Sequence, residues 1–146
     1  QQRLWFLGQL ESRTPAYNIP IVVRLSGVLN ANVLKRSLNG IVRRHEILRT
    51  NFRMVNGHPA QVITPVRDLE FTEIDLRDLP QSERESTATQ LMTEEARKCF
   101  DLEEGALLTA TLLRRDTNEH ILLLTMHHII CDSWSMRIFL DEIGAL

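Results

Sequence analysis

The run "HILLLTMHHII" (residues 120–130) constrains the fold of this chain more than any other stretch. Read as a β-strand, it has two apolar faces. Ile121, Leu123 and Thr125 share one with His127, and Leu122, Leu124 and Met126 share the other with His128. Two adjacent histidines at the end of so apolar a run need a reason: hydrogen-bonded core residues, metal ligands or part of an active site.

Periodicity weighs against metal. Neighbouring strand residues point oppositely, so the two imidazoles do not converge on one ion. A site built on His128 and Asp132 would need further ligands, and no Cys or His cluster supplies them. Cys131 has no positioned base near it in sequence, and a small buried thiol is the commoner role for such a residue. Spacing alone favours a buried, hydrogen-bonded pair over catalysis. Yet His128 falls where the strand gives way to a loop, with Asp132 and Trp134 close behind, and such strand exits often mount catalytic groups. The residues by themselves leave both readings open.

The rest of the pattern predicts β-α-β-β-β-α-β-β-α, an α/β class in the form of a two-layer sandwich with mixed strand pairing. "NIPIVVRLSG" (18–27) is β-branched and bounded by Pro20 and Gly27, as a strand should be. Asn30 can cap a following helix whose face is Leu34, Leu38, Ile41, His45 and Leu48. Residues 50–64 place two extended runs around Asn56-Gly57, a hairpin signal, and 70–76 alternate as a half-exposed strand does. Residues 81–100 return to helical spacing with Ala88, Leu91, Met92, Ala96 and Cys99 on one side. Strands follow at 106–115 and 120–130. Ser133 or Ser135 can then cap a helix carrying Met136, Phe139, Leu140, Ile143 and Leu146 inward.

Composition narrows the function. The 146 residues are 43% hydrophobic and 25% charged, as a globular domain is, with 17 basic against 19 acidic residues. Arg43 and Arg44 alone make no phosphate-tracking stripe, so nucleic acid is not the expected partner. No apolar run reaches the roughly 20 residues that span a bilayer, and no leader is evident. Two cysteines form no framework, which fits a reducing cytoplasm. The chain starts at Gln1 and stops at Leu146 inside a helical pattern, so it is expected to be a piece of something longer.

Three stretches together resemble the condensation domains of nonribosomal peptide synthetases. "QQRLWFL" (1–7) is similar to the back half of that family's first core motif, and "RHEILRTNF" (44–52) to its second. "MHHIICDSW" (126–134) resembles the third, usually His-His-x-x-x-Asp-Gly. "YNIP" (17–20) and "FDLEEGALLTATLLR" (100–114) also read like family text, so the resemblance runs the length of the chain in order.

That resemblance implies a chloramphenicol acetyltransferase-like fold of two lobes around a channel, with residues 1–146 forming most of the first lobe. It implies amide formation, in which the amine of a downstream aminoacyl thioester attacks an upstream acyl thioester. No cofactor is expected to bind directly. The substrates arrive on the phosphopantetheine arms of upstream and downstream peptidyl carrier domains, with an adenylation domain in the same synthetase and no metal.

His128 corresponds to the family's active histidine, as base or as positioner. His127 is expected to shape the strand end. Asp132 is expected to pair with an arginine, Arg3 first and Arg49 second, and so to aim His128. Arg44, His45, Glu46 and Arg49 are expected as scaffold, and Trp134 as packing under the loop. Ser133 stands where the family usually has Gly, which matters if the backbone there needs a positive φ. A coenzyme A-dependent acyltransferase of the same superfamily and a non-catalytic recruitment domain are the alternatives.

Overall fold

The computed structural model describes residues 5–6 and 14–144. Its elements follow the expected order: β1 (Asn18–Ser26), α1 (Ala31–Arg44), β2 (Thr50–Val55), β3 (His58–Ile63), β4 (Glu70–Asp75), α2 (Gln81–Ala96), β5 (Leu108–Arg114), β6 (Glu119–His127) and α3 (Ser133–Gly144). Short 3-10 turns cover Pro15–Tyr17, Glu46–Arg49 and His128–Ile130.

The sheet is mixed and four-stranded, in the order β1-β6-β5-β4. β6 pairs antiparallel with both neighbours, opposing Ile21 to Leu124 on one side and Leu112 to Leu122 on the other. β4 and β5 run parallel, a pairing that requires a crossover, and α2 supplies it. The central place of β6 explains its composition: every residue from His120 to His127 is buried. On one face Leu122, Leu124 and Met126 join Leu108, Ala110 and Leu112 against α1 and α3. On the other, Ile121, Leu123 and Leu113 pack with Leu76 and with Ala88 of α2. The sheet with α1 and α3 is the sandwich expected, and α2 adds cover on the second face. Each fully buried Leu contributes about 1.5–3 kcal/mol of transfer free energy.

Local chemistry sets the boundaries. Asn30 Oδ1 accepts the Asn32 and Val33 N–H groups at 3.1 and 3.2 Å and starts α1. Leu34, Leu38, Ile41 and Val42 form its buried stripe. The helix was expected to run past His45 to Leu48, but it ends at Arg44, and Glu46–Arg49 tighten into a 3-10 turn. α2 likewise ends at Ala96, which leaves Cys99 exposed on the following connection instead of on the helix face.

The β2–β3 hairpin turns on Asn56 (φ 52°) and Gly57 (φ 78°), the left-handed pair that a two-residue turn of this type requires. It is tied to the 100–107 connection by Phe52 N–H on Leu102 O at 2.8 Å and Asn51 Nδ2 on Gly105 O at 2.7 Å. A Cβ at Gly105 would come within 2.8 Å of Asp101 O, so only glycine fits there. Trp5, from the first motif stretch, is buried and donates from Nε1 to Phe52 O at 3.1 Å, so the first and second motif stretches meet.

Candidate active site

β6 ends at His127, and the chain at once tightens into the His128–Ile130 turn, closed by Cys131 N–H on His128 O at 3.3 Å. The turn is pinned from below. Ile129 and Ile130 are buried, and the His127 N–H donates to Leu107 O at 3.0 Å. Between these anchored neighbours the His128 side chain is exposed. Consecutive residues thus place one imidazole inside the protein and one outside it.

His127 is the inner ring. Its Nδ1 accepts the Ile129 N–H at 3.1 Å, which leaves any ring proton on Nε2. The ring sits beside Tyr17 (centroids 6.1 Å apart) and edge-on to Phe100 (6.3 Å). Burial, and secondarily the charge of His128, push its pKa down to about 4. His127 is therefore neutral at physiological pH and shapes the turn as an acceptor. Among the described residues, no group of three or more His, Cys, Asp or Glu is placed to hold a metal ion.

Cys131 is buried, and its Sγ lies 3.4 Å from Asp132 O. Burial first and the Asp132 carboxylate second push its thiol up, away from the thiolate a nucleophile needs.

Asp132 has a partner that was not expected. Its Oδ1 accepts both the backbone N–H and the Oγ–H of Ser135 at 2.8 Å, so it caps α3, and these bonds hold its carboxyl below the ordinary range. The cap expected of Ser133 or Ser135 belongs instead to Asp132, because a carboxylate suits the positive end of the helix better than a hydroxyl. Arg49 does not pair with Asp132: it donates to Thr64 O at 2.8 Å and to Glu46 at 3.0 Å. Arg3 lies outside the described residues.

Ser133 is the first residue of α3, and Asn56 is the one non-glycine residue with positive φ among those described. Trp134 does not pack under the loop; it is 74% exposed. Of the inward set expected on α3, Phe139 and Ile143 are buried, Met136 packs half-buried against the core and Leu140 is exposed; residue 146 lies outside the described residues.

The second motif stretch joins two helices. His45, at the end of α1, donates from Nε2 to Glu142 Oε1 of α3 at 2.8 Å, and Arg44 Nη1 lies 3.2 Å from Glu142 Oε2. Arg49 and Glu46 hold the adjacent turn, and Thr50 Oγ donates to Glu46 O at 2.8 Å. Glu142 was not anticipated. Its signal was a charge three positions after Phe139, on the buried side of an amphipathic helix. Between the turn after α1 and the first half of α3 lies an apolar cleft of about 110 Å³ that includes Leu48, Met126, Cys131, Ser135 and Phe139.

The family model for the Condensation domain matches residues 1–146. Among curated relatives, chondramide synthase of Chondromyces crocatus is 44% identical over the whole chain, which covers 4% of that protein. Malpinin synthetase of Mortierella alpina is 40% identical over the whole chain, which covers 2% of it. The chain thus spans only a few per cent of these very long relatives.

In structure it is similar to the first condensation domain of the calcium-dependent antibiotic synthetase, solved with a substrate analogue (TM-score 0.86, 25% identity, 98% of this chain and 34% of that one). The starter condensation domain of rhizomide synthetase shares the fold (TM-score 0.88, 20% identity, 97% of this chain and 34% of that one). With the whole sequence matched and the whole fold shared, this chain belongs to the condensation-domain family.

Proposed function

We propose that this chain carries the active histidine of a peptide-forming condensation domain, and that it supplies one lobe of a two-lobed channel. A single observation carries the reading: His128 is exposed at the tip of the central strand, while its neighbours His127, Ile129 and Ile130 are buried and fix the backbone. An imidazole so mounted has a free edge and little freedom to wander, the condition for effective positioning of a reactant.

In the proposed reaction the amine of an aminoacyl thioester attacks the carbonyl carbon of an acyl thioester. A C–N bond forms, the C–S bond breaks, the amine gives up a proton and the departing sulfur ends as a thiol. His128 orients the amine and takes its proton as the tetrahedral intermediate forms. Asp132 acts at one remove, by fixing the start of α3. Its Oδ1 is committed to Ser135, and a carboxylate that caps the next helix supports a framing role over a Ser-His-Asp style of orientation.

Both thioesters are carried on phosphopantetheine arms of carrier domains, activated by an adenylation domain of the same synthetase. Curated relatives in which this chain is a few per cent of the length support that setting. Cys99 and Cys131 form no disulfide, consistent with work in the cytoplasm.

The test is reconstitution of the full-length protein with two carrier domains loaded with acyl and aminoacyl groups. Mass spectrometry should find the amide product on the downstream arm. Transfer of the acyl group to free coenzyme A, with no amide formed, would favour the acyltransferase reading instead.

A further inference from the structure

The short connection between His128 and α3 has two anchors. One is β6, which the sheet holds rigidly. The other is α3, which begins directly after Asp132. Ile129 and Ile130, buried between these anchors, hold the middle of the turn, so the position of α3 acts on the aim of His128 through the C-terminal end of the connection.

The apolar seat of α3 is thin. Phe139 and Ile143 are buried and Met136 packs half-buried against the same core, but Trp134, Ile138 and Leu140 are exposed. Under the first half of the helix the cleft of about 110 Å³ parts Ser135 and Ile138 from Ile47 and Leu48. Two buried side chains and one half-buried one leave part of the rotation and slide of this twelve-residue helix to other contacts. The remaining tie to α1 is polar. The Glu142 side chain is only 21% exposed, and the ring of His45 and the guanidinium of Arg44 converge on its two oxygens. Oε2 is buried without a hydrogen bond, and the exposed Arg44 guanidinium lies 3.2 Å from it as an ion pair. A carboxylate desolvated to that degree tolerates few positions, because moving it away from its partners leaves it uncompensated. His45 is itself fixed, by its N–H on Ile41 O at 3.0 Å at the end of α1.

From this geometry we infer that Glu142 is a positioning residue for the condensation reaction: through His45 and Arg44 it fixes α3 and so aims His128. The inference rests on the reading of His128 given above. It also gives the second motif a task, since Arg44 and His45 then act on the reaction from the end of α1 without touching substrate.

The experiment is single-turnover amide formation by the full-length protein, with loaded carrier domains, beside thermal unfolding of the same samples. Glu142→Ala should slow the rate at saturating carrier about ten- to a hundredfold, the cost of misplacing a reacting group. Half-saturation should barely change, and the melting temperature should fall by only a few degrees. Glu142→Gln keeps an oxygen for the His45 N–H and should recover part of the rate; it also serves if the alanine variant does not fold. His45→Ala should slow the reaction similarly, and the double variant His45→Ala with Glu142→Ala should add little. If folded Glu142→Ala and Glu142→Gln both turn over within about twofold of wild type, the inference is overturned. His128→Ala in the same assay separates the two failures. A slow His128→Ala beside fast Glu142 variants overturns the positioning role alone, while a fast His128→Ala overturns both.

Discussion

Asp132 and Ser135 form a closed pair at the start of α3: one carboxylate oxygen of Asp132 accepts the backbone N–H and the hydroxyl of Ser135, each at 2.8 Å. This is helix capping. It makes Asp132 part of the frame that holds the turn after β6, with no bond to spare for an imidazole through that oxygen. In this chain His127 is thus inside, His128 outside and Asp132 at the head of the next helix.

A cap of this kind predicts a pH-dependent effect on stability. Hydrogen bonds from Ser135 lower the Asp132 carboxyl, so the folded state gains from the ionised form. That gain is fully present above the ordinary carboxylate value of 3.8 and disappears as the pH falls through the lower folded value. Asp132→Ala should lower the melting temperature by several degrees at neutral pH, and the gap from wild type should close in strong acid. A gap that stays constant down to that range would place the stabilisation elsewhere.

His127 predicts a second titration. Its folded value of about 4 lies below the ordinary 6.5, so between those values the unfolded chain binds a proton that the folded chain refuses. Stability should therefore fall as the pH drops from about 6.5 to about 4 and level off below that. His127→Asn keeps an acceptor for the Ile129 N–H and should lack this component. Urea midpoints for the two proteins should converge as the pH falls across the window; parallel curves would mean that the His127 ring is solvated.

Much of this was legible in the sequence, for reasons visible at particular residues. The order of strands and helices followed from periodicity, and the hairpin from Asn56-Gly57, since both are local signals. Strand alternation set His127 and His128 apart, but β6 ends at His127 and it is the 3-10 turn that leaves His128 exposed. Most of what escaped was set by partners distant in sequence. Nothing near Arg44 announces that α1 stops there, or that Arg44 and His45 meet Glu142, about a hundred residues on. Trp134 looked like packing because tryptophan usually packs, yet it is exposed. For Asp132 the expected partners were Arg3, which lies outside the described residues, and Arg49, which bonds elsewhere; Ser135, three residues on, offers two donors to a single oxygen. The parallel pairing of β4 with β5 is likewise invisible locally, being a property of the crossover through α2.

Arg49 offers a separation of structure from chemistry. Its guanidinium, 14% exposed, ties the turn after α1 to Thr64 O and Glu46. Arg49→Ala should cost about 1–3 kcal/mol, the range for losing hydrogen bonds from a charged donor. Chemical denaturation would report that loss, and folded Arg49→Ala should condense substrates within about threefold of wild type. A stable but slow variant would instead move Arg49 into the positioning network.

The central claim concerns the outer imidazole. The most direct measurement is the single-turnover rate of amide formation by the His128→Ala variant of the full-length protein, beside its unfolding curve. The rate is expected to fall about a hundredfold or more, the scale of a lost proton acceptor, with the unfolding midpoint unchanged because the ring is exposed. A folded variant that joins the two substrates at nearly the wild-type rate would contradict the account.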